Sequence, residues 1–219
     1  MSTPISDSGW AFADSWASET DSLRRARDRS EELGIDAVSP AAAAALQLLA
    51  SAIAAQAVVE IGTGAGVSGA ALLGGMTHGG VLTTIDVEAE GQRAAKETFT
   101  ELGHSPSRAR LIAGRALDVL PRMSDGAYDM VVVDGDHAEY PAIVTQAKRL
   151  LRIGGLLVLC GMLGPTGISD PARRDLDTTA LRDAAAMIEH DDDFLPALMT
   201  VGTGLLVALL VRRSEPGGA

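Results

Sequence analysis

The chain reads as an α/β protein built on a doubly wound, mostly parallel sheet, and three observations carry that reading. Short apolar runs rich in β-branched residues alternate with stretches of helical pattern, the signature of strands joined by helical crossovers. The first complete run, Val58-Val59-Glu60-Ile61, leads directly into Gly62-Thr63-Gly64-Ala65-Gly66 and then a helix-compatible segment, which is a strand, a tight loop and a helix. The chain closes on two apolar runs, Leu195 to Thr200 and Leu205 to Val211, joined by Val201-Gly202-Thr203-Gly204, the pattern of an antiparallel hairpin that completes the sheet.

Taken in order, residues 1 to 38 are polar and form an N-terminal helical extension. Trp16, Leu23 and Ala26 fall on helical spacing and predict one helix over about 14 to 33, closed by Gly34. Trp10 and Trp16 are read as packing onto the main domain, with a substrate mouth or a subunit contact as the other readings. Ser39-Pro40 is an N-cap followed by proline at the first helical position. Ala45, Leu48, Leu49, Ala52 and Ile53 then mark the apolar face of a helix leading into the glycine strand. Val81 to Asp86 is the second strand, Glu88 to Leu102 a helix stopped by Gly103, and Arg110 to Gly114 the third strand. Arg115 to Met123 is a short helix, and Tyr128 to Asp134 a buried strand ending in Asp134-Gly135-Asp136-His137. Tyr140 to Leu151 is a helix stopped by Gly154-Gly155, before a fifth strand, Leu156 to Cys160. Gly164 to Asp175 is a Gly/Pro-rich loop placed to cover the site, and Thr178 to His190 a last helix. The main domain is thus expected over 39 to 212, with 213 to 219 as a flexible tail.

Composition narrows the function. A chain of 219 residues, 47% hydrophobic, can bury a full core. A formal net charge of -11 argues against nucleic acid as a partner, because its phosphates would be repelled. One cysteine, Cys160, excludes a disulfide framework and fits a reducing cytoplasm. The N-terminus has no basic region followed by an apolar one, so no signal peptide is expected. Ala41 to Val59 is apolar but alanine-rich and interrupted by Gln47, Ser51 and Gln56, which favours a soluble helix over a membrane span.

The glycine loop points to a nucleotide-type ligand, since bare backbone at a helix N-terminus admits close approach. Dinucleotide loops need a glycine where this chain has Val67. A carboxylate, Glu60, stands two residues before Gly62, and an acid there suits a cationic group and repels pyrophosphate. S-adenosylmethionine (SAM) therefore fits better than NAD. Asp86 ends the second strand 20 residues after Gly66, where an acid would hold a ribose diol.

Several segments together carry a family resemblance. Val38-Ser39-Pro40, Glu60 through Ser68, Ile85-Asp86, Gly114 through Leu120, Tyr128 through Tyr140 and Leu150 through Gly155 follow one another in the order and spacing of a known family. The chain resembles the class I SAM-dependent O-methyltransferases of the catechol / caffeoyl-CoA type (O-methyltransferase family 3), as an actinobacterial-like member, over about residues 36 to 211. The resemblance implies a Rossmann-like fold with a seven-stranded sheet, and a homodimer, for whose contact the N-terminal tryptophans are candidates. It places Glu60 under the glycine loop near the methionine part of SAM, with Gly62, Thr63, Gly64 and Gly66 as the loop itself. Ser68 would hold the methionine carboxylate, Asp86 the ribose, and Ala116 the adenine edge through its N–H. Val38, Val87 and Arg115 border the cofactor, and Asp134 faces the amino group and reaction centre.

The chain departs from that family in its chemistry. Relatives that use Mg²⁺ hold it with an Asp at the position of Asp134 and an Asp-Asn pair where this chain has Cys160 and Gly161. A thiol and a glycine do not replace hard oxygen ligands, and Asp136 alone does not complete a cage, so no divalent metal is expected. The family's basic lysine is here His137, and its substrate-flanking tryptophan is Gly164. Transfer of a proton from a phenol of pKa ~10 to an ordinary imidazole of ~6.5 is uphill by about 5 kcal/mol. Three outcomes stay open: a more acidic acceptor such as a carboxylic acid, proton removal by His137 concerted with methyl transfer, or a SAM-binding protein whose catalysis is lost or altered.

Overall fold

The computed structural model describes residues 5–164 and 168–214. Seven strands form one sheet in the order β3-β2-β1-β4-β5-β7-β6, with β1 at Ala57–Ile61, β2 at Val81–Asp86, β3 at Ala109–Ala113, β4 at Tyr128–Val133, β5 at Leu151–Leu159, β6 at Phe194–Met199 and β7 at Leu205–Leu210. The first five strands pair in parallel; β7 runs antiparallel to both β5 and β6. Helices α3 (Pro40–Ala52), α4 (Val67–Gly75) and α5 (Ala89–Glu101) cover one face; α7 (Tyr140–Leu150) and α8 (Leu176–Glu189) cover the other. Alternate residues of each central strand supply the two cores. Val59, Ile61, Val131 and Val133 pack with Tyr140, Ile143 and Leu181, while Val58, Met130 and Val132 pack with Leu46, Leu72 and Phe99. That two-sided burial is why the central strands read as mainly apolar runs, interrupted by a few polar residues such as Glu60 and Thr84 that are themselves buried.

The strand order reverses between β1 and β4, which opens a crevice beyond their carboxyl ends. Tyr140, fully buried, fixes the floor beside it by donating its hydroxyl hydrogen toward the carbonyls of Val133 and Cys160, both at 3.1 Å.

The structure corrects several boundaries. The single helix expected over 14 to 33 is two, α1 (Asp7–Trp16) and α2 (Asp21–Glu32). Thr20 caps α2 by accepting from the Leu23 N–H at 3.3 Å, and an N-cap is a starting point. Gly34 does end α2, with φ +66°. On α3 the buried positions are Ala42, Ala43, Leu46 and Ala50, and Leu48 is exposed. The approach of α4 sets that face: a Cβ on Gly75 would stand 2.1 Å from the Gln47 carbonyl oxygen. Gly154-Gly155 does not stop α7, which ends at Leu150 as β5 begins at Leu151. The two glycines lie in a bulge of β5 opposite Asp129, whose carboxylate accepts from the Gln56 and Ala57 amides at 2.7 and 2.8 Å and from Arg152 Nε at 2.5 Å. The helix expected from Arg115 to Met123 is α6 (Ala116–Val119) followed by a 3-10 turn, because Pro121 lacks the N–H to continue it. Of the expected flexible tail, Ser214 is held by Asp193, which accepts from its N–H at 3.0 Å and its hydroxyl at 2.6 Å; residues 215–219 lie outside the described part.

Candidate functional site

The loop after β1 is shaped by its neighbours. The Gly62 N–H donates to the Ile85 carbonyl at 2.9 Å, and the Asp134 N–H donates to the Ile61 carbonyl at 2.8 Å, so the loop leaves the sheet clamped between β2 and β4. Asp86 braces it next. Its Oδ2 accepts from the Thr63 and Gly64 amides at 2.8 and 3.1 Å, and its Oδ1 accepts from the Glu88 amide at 2.9 Å. Gly66 then caps α4 with φ +87°, and a Cβ there would lie 2.9 Å from Ala95 Cα, so the positive φ and the close approach of α5 both require glycine.

Two adjoining cavities open on this loop. One, of about 110 Å³, is walled by Gly62, Thr63, Gly64, Ser68, Asp86 and Asp134, together with Asp36 and Glu88. The other, of about 150 Å³, is walled by Gly62, Asp86, Val87, Arg115, Ala116 and Glu139 among others. Gly62 and Asp86 belong to both, so the two halves form one crevice bent around the Asp86 carboxylate. No lysine, arginine or histidine lines the first half. In the second, Arg115 is paired with Glu139. Such walls favour a ligand with positive charge and disfavour a phosphate. Ala116 opens α6, so its N–H is one of the amides a helix leaves without an internal partner. It stands where a base edge could accept from it.

Nine of the residues singled out from sequence thus line one crevice, Gly62, Thr63, Gly64, Ser68, Asp86 and Asp134 in one half and Val87, Arg115 and Ala116 in the other, while Val38 lies just beyond in a neighbouring bay. Gly66 shapes the loop without lining the cavity. Glu60 and His137 line none of the three spaces. Asp36, Glu88 and Glu139 were missed, since an acid in a polar stretch carries no pattern that separates it from solvated neighbours.

Burial is the first cause that lifts the Asp134 carboxyl to about 6, and the charge of Asp36 pushes the same way. Glu60 is more extreme. It is fully buried beneath the loop, and neither carboxylate oxygen has a hydrogen-bond partner. Burial raises it to about 7, with Asp134 and Asp86 adding to the rise; the Thr84 and Ser68 hydroxyls temper it without closing a hydrogen bond of normal geometry. The folded chain therefore keeps a proton that the unfolded chain releases. Stability from this position is greatest below the ordinary glutamate range and is lost as pH rises through about 7. Glu60→Gln is expected to match the parent near pH ~5 and to exceed it at pH ~8 by on the order of 3 kcal/mol in urea unfolding. Parallel pH profiles for the two proteins would show that Glu60 is paired instead.

At the end of β4, Asp136 caps a 3-10 turn, His137–Glu139, by accepting from the Ala138 amide at 3.0 Å. The His137 ring packs edge-on against Tyr140, with ring centres 5.1 Å apart. It also covers Gly161: a Cβ at that position would lie 2.9 Å from Nε2. Cys160 is 1% exposed, and burial first, then Asp134 and Glu60, pushes its thiol well above the ordinary range. A protonated buried thiol, a glycine and an imidazole filling the space over that glycine do not fit a Mg²⁺ cage of hard oxygens. Among the described residues no three His, Cys, Asp or Glu side chains converge as one.

A doubly wound sheet whose crevice is formed by a glycine loop, a braced acid and an acid-lined wall defines a class of α/β enzyme that holds a nucleoside ligand bearing positive charge. Comparison with known proteins makes the class specific: the chain belongs to the O-methyltransferase family, matching it over residues 16–213. A Mycobacterium marinum protein that carries the O-methyltransferase name is 49% identical over 201 residues, covering 91% of this chain and 89% of that protein. A crystal structure of a Corynebacterium glutamicum protein superposes with a TM-score of 0.85 at 34% identity, covering 94% of this chain and 97% of the other. The O-methyltransferase TomG from Streptomyces achromogenes, involved in tomaymycin synthesis and crystallised in complex with SAM, gives a TM-score of 0.84 at 28% identity, covering 92% and 95%. The seven-stranded sheet and C-terminal hairpin expected from the sequence are those of this family.

Proposed function

We propose that this O-methyltransferase binds SAM in the bent crevice and moves its methyl group to a hydroxyl or carboxyl oxygen of a small acceptor without a divalent metal. The observation that carries the reading is the wall of Asp36, Asp86, Glu88 and Asp134 around a glycine loop, with no basic side chain in that half. SAM carries a sulfonium and an ammonium against one carboxylate, so these acids match its net charge, and the α4 N-terminus with Ser68 is left for the carboxylate. Asp86 holds the loop amides in place and offers its remaining lone pairs to the ribose hydroxyls; Ala116 N–H serves the adenine edge.

Methyl transfer is an in-line displacement that requires the acceptor oxygen and the sulfonium methyl to be aligned and the acceptor proton to leave. Asp134, at the β4 terminus beside the methionine half, orients the donor, and His137 takes the proton. One observation favours a second reading, SAM binding with altered catalysis: the His137 ring lines neither half of the crevice, and among the described residues no carboxylate is hydrogen-bonded to it. We also infer a cytoplasmic homodimer. Among the described residues no helix is long and apolar enough to cross a membrane, and the edge strand β6 leaves Leu195 and Leu198 exposed, as a sheet edge covered by a second copy would.

Calorimetric titration with SAM and with its demethylated product, with and without Mg²⁺, tests the reading. Binding that is unchanged by Mg²⁺, together with label transfer from methyl-labelled SAM that is unaffected by EDTA, is the expected result. No binding of either compound would overturn the function, and strict Mg²⁺ dependence would overturn the metal-free mechanism.

A further inference from the structure

A bay of about 670 Å³ lies between α1, the start of α3 and the β6–β7 turn, outside the crevice already described. Its size is that of a small-molecule site. Ala37 lines both the bay and the methionine half of the crevice, so the two spaces adjoin, with Asp36 next to the junction and Val38 on the bay side. Trp10 and Trp16 form its outer wall and are 41% and 74% exposed. Ala41, Ala44 and Ala45 make the opposite wall, where short side chains leave a flat apolar surface.

The frame of the bay is fixed. The Ser39 hydroxyl, which caps α3, lies 2.5 Å from Asp14 Oδ1, tying α1 to α3. The β6–β7 turn presses on the same serine: a Cβ on Gly202 would stand 2.7 Å from its Oγ. The turn is anchored below by the Leu163 N–H, which donates to the Thr203 carbonyl at 2.7 Å.

Its charge is one-sided. Among the described residues no lysine, arginine or histidine lines the bay; Asp14 does, Asp36 stands next to the junction at Ala37, and Asp134 lines the crevice beyond it. Arg27 donates to the Val38 carbonyl from behind, but both oxygens of Glu19 hold it, with N···O distances of 2.7 to 2.9 Å. The sequence as a whole carries a net charge of -11.

We propose that this bay is the acceptor subsite of the methyltransferase, that Trp10 and Trp16 are its stacking walls, and that it takes planar neutral or cationic hydroxyl compounds while turning away anionic ones. The assignment rests on the SAM reading above. Indole faces left open to solvent beside a flat alanine surface suit a ring sliding between them, and a cation there gains from the indole faces as well as from the carboxylates. An anion would be desolvated against Asp14 and Asp36 with no partner to compensate. A ligand in the bay is directed toward Ala37, where the donor's methionine half begins.

The two tryptophans are the only ones in the chain, so intrinsic indole fluorescence reports the bay alone. Three probes share one ring and differ in charge: 4-ethylcatechol, 3,4-dihydroxyphenethylamine and 3,4-dihydroxyphenylpropionate. They are titrated into the full chain saturated with the demethylated cofactor product, whose own binding is measured by calorimetry. Quenching by the neutral and cationic probes, with the anionic one about tenfold weaker, is expected. Ala44→Leu, which narrows the bay away from the crevice, should weaken the quenching probes about tenfold while product binding stays constant. Product binding without quenching by any probe, anionic preference, or tryptophans already buried by a second copy in the free protein would each overturn the assignment. No product binding at all would overturn the methyltransferase reading on which it rests.

Discussion

Gly62→Ala is expected to reduce SAM binding at least about a hundredfold and to lower folding stability by about 2–4 kcal/mol. Gly62 has φ +91°, where an L side chain is strained, and its added Cβ would stand 2.1 Å from the Asp134 carbonyl oxygen. That atom is backbone and cannot rotate away. Relieving the overlap requires β1 and β4 to separate at their carboxyl ends, which stretches the bond from the Asp134 N–H to the Ile61 carbonyl, or requires the loop to swing toward β2 and lose the one from Gly62 to Ile85. Either movement takes the Thr63 and Gly64 amides off Asp86, so the two halves of the crevice lose the wall they share. Gly64→Ala is the control. Its Cβ would meet only the Ile35 Cγ2 methyl, at 3.3 Å, so a milder cost of about 1 kcal/mol is expected, mainly from the positive φ. Urea unfolding and calorimetry on both variants check the pair. Equal and small effects would show that the loop tolerates a side chain at Gly62, and that its approach to β4 is not what shapes the site.

Much of this was legible in the sequence because the physics was local. A strand buried on both faces is mostly apolar and β-branched, and a helix that ends on a left-handed residue favours glycine; β1, β2 and β4 and the stops at Gly34 and Gly103 follow from those two facts. The errors came where a distant contact decided. Gly154-Gly155 has the composition of a helix stop, yet its role is to let β5 bulge around Asp129, a residue 25 positions earlier whose carboxylate is bound to Gln56 and Ala57. The apolar face of α3 was drawn through Leu48, but α4 comes so near that Ala42, Leu46 and Ala50 face it instead. The site divides the same way. The glycine loop and Asp86 announce themselves by spacing along one strand-loop-helix unit. Asp36 comes from a polar segment outside that unit and joins Asp134 only through folding. Glu60 stands near the end of its strand in a position the sequence makes visible, but sequence could not show that its carboxylate is fully buried and, among the described residues, has no hydrogen-bond partner.

His137→Ala is expected to lower kcat by about 10²–10³ with SAM binding unchanged, the loss typical of removing a general base. Geometry makes the outcome informative, because the imidazole has two distinct relations to its surroundings. It packs on the Tyr140 ring, which locks the ends of β4 and β5, and it lies over Gly161 with Nε2 against the place a side chain would occupy. If His137 serves only as packing, His137→Gln should keep near-normal turnover because it refills part of that space. If it takes the acceptor proton, His137→Gln should be as slow as His137→Ala. Gly161→Ala separates the roles further. A methyl at that position displaces Nε2 without removing it, so a smaller loss in kcat, on the order of tenfold, is expected. Displacement matters to a base that must meet the acceptor oxygen within hydrogen-bond reach; it matters little to a ring whose work is to fill a gap.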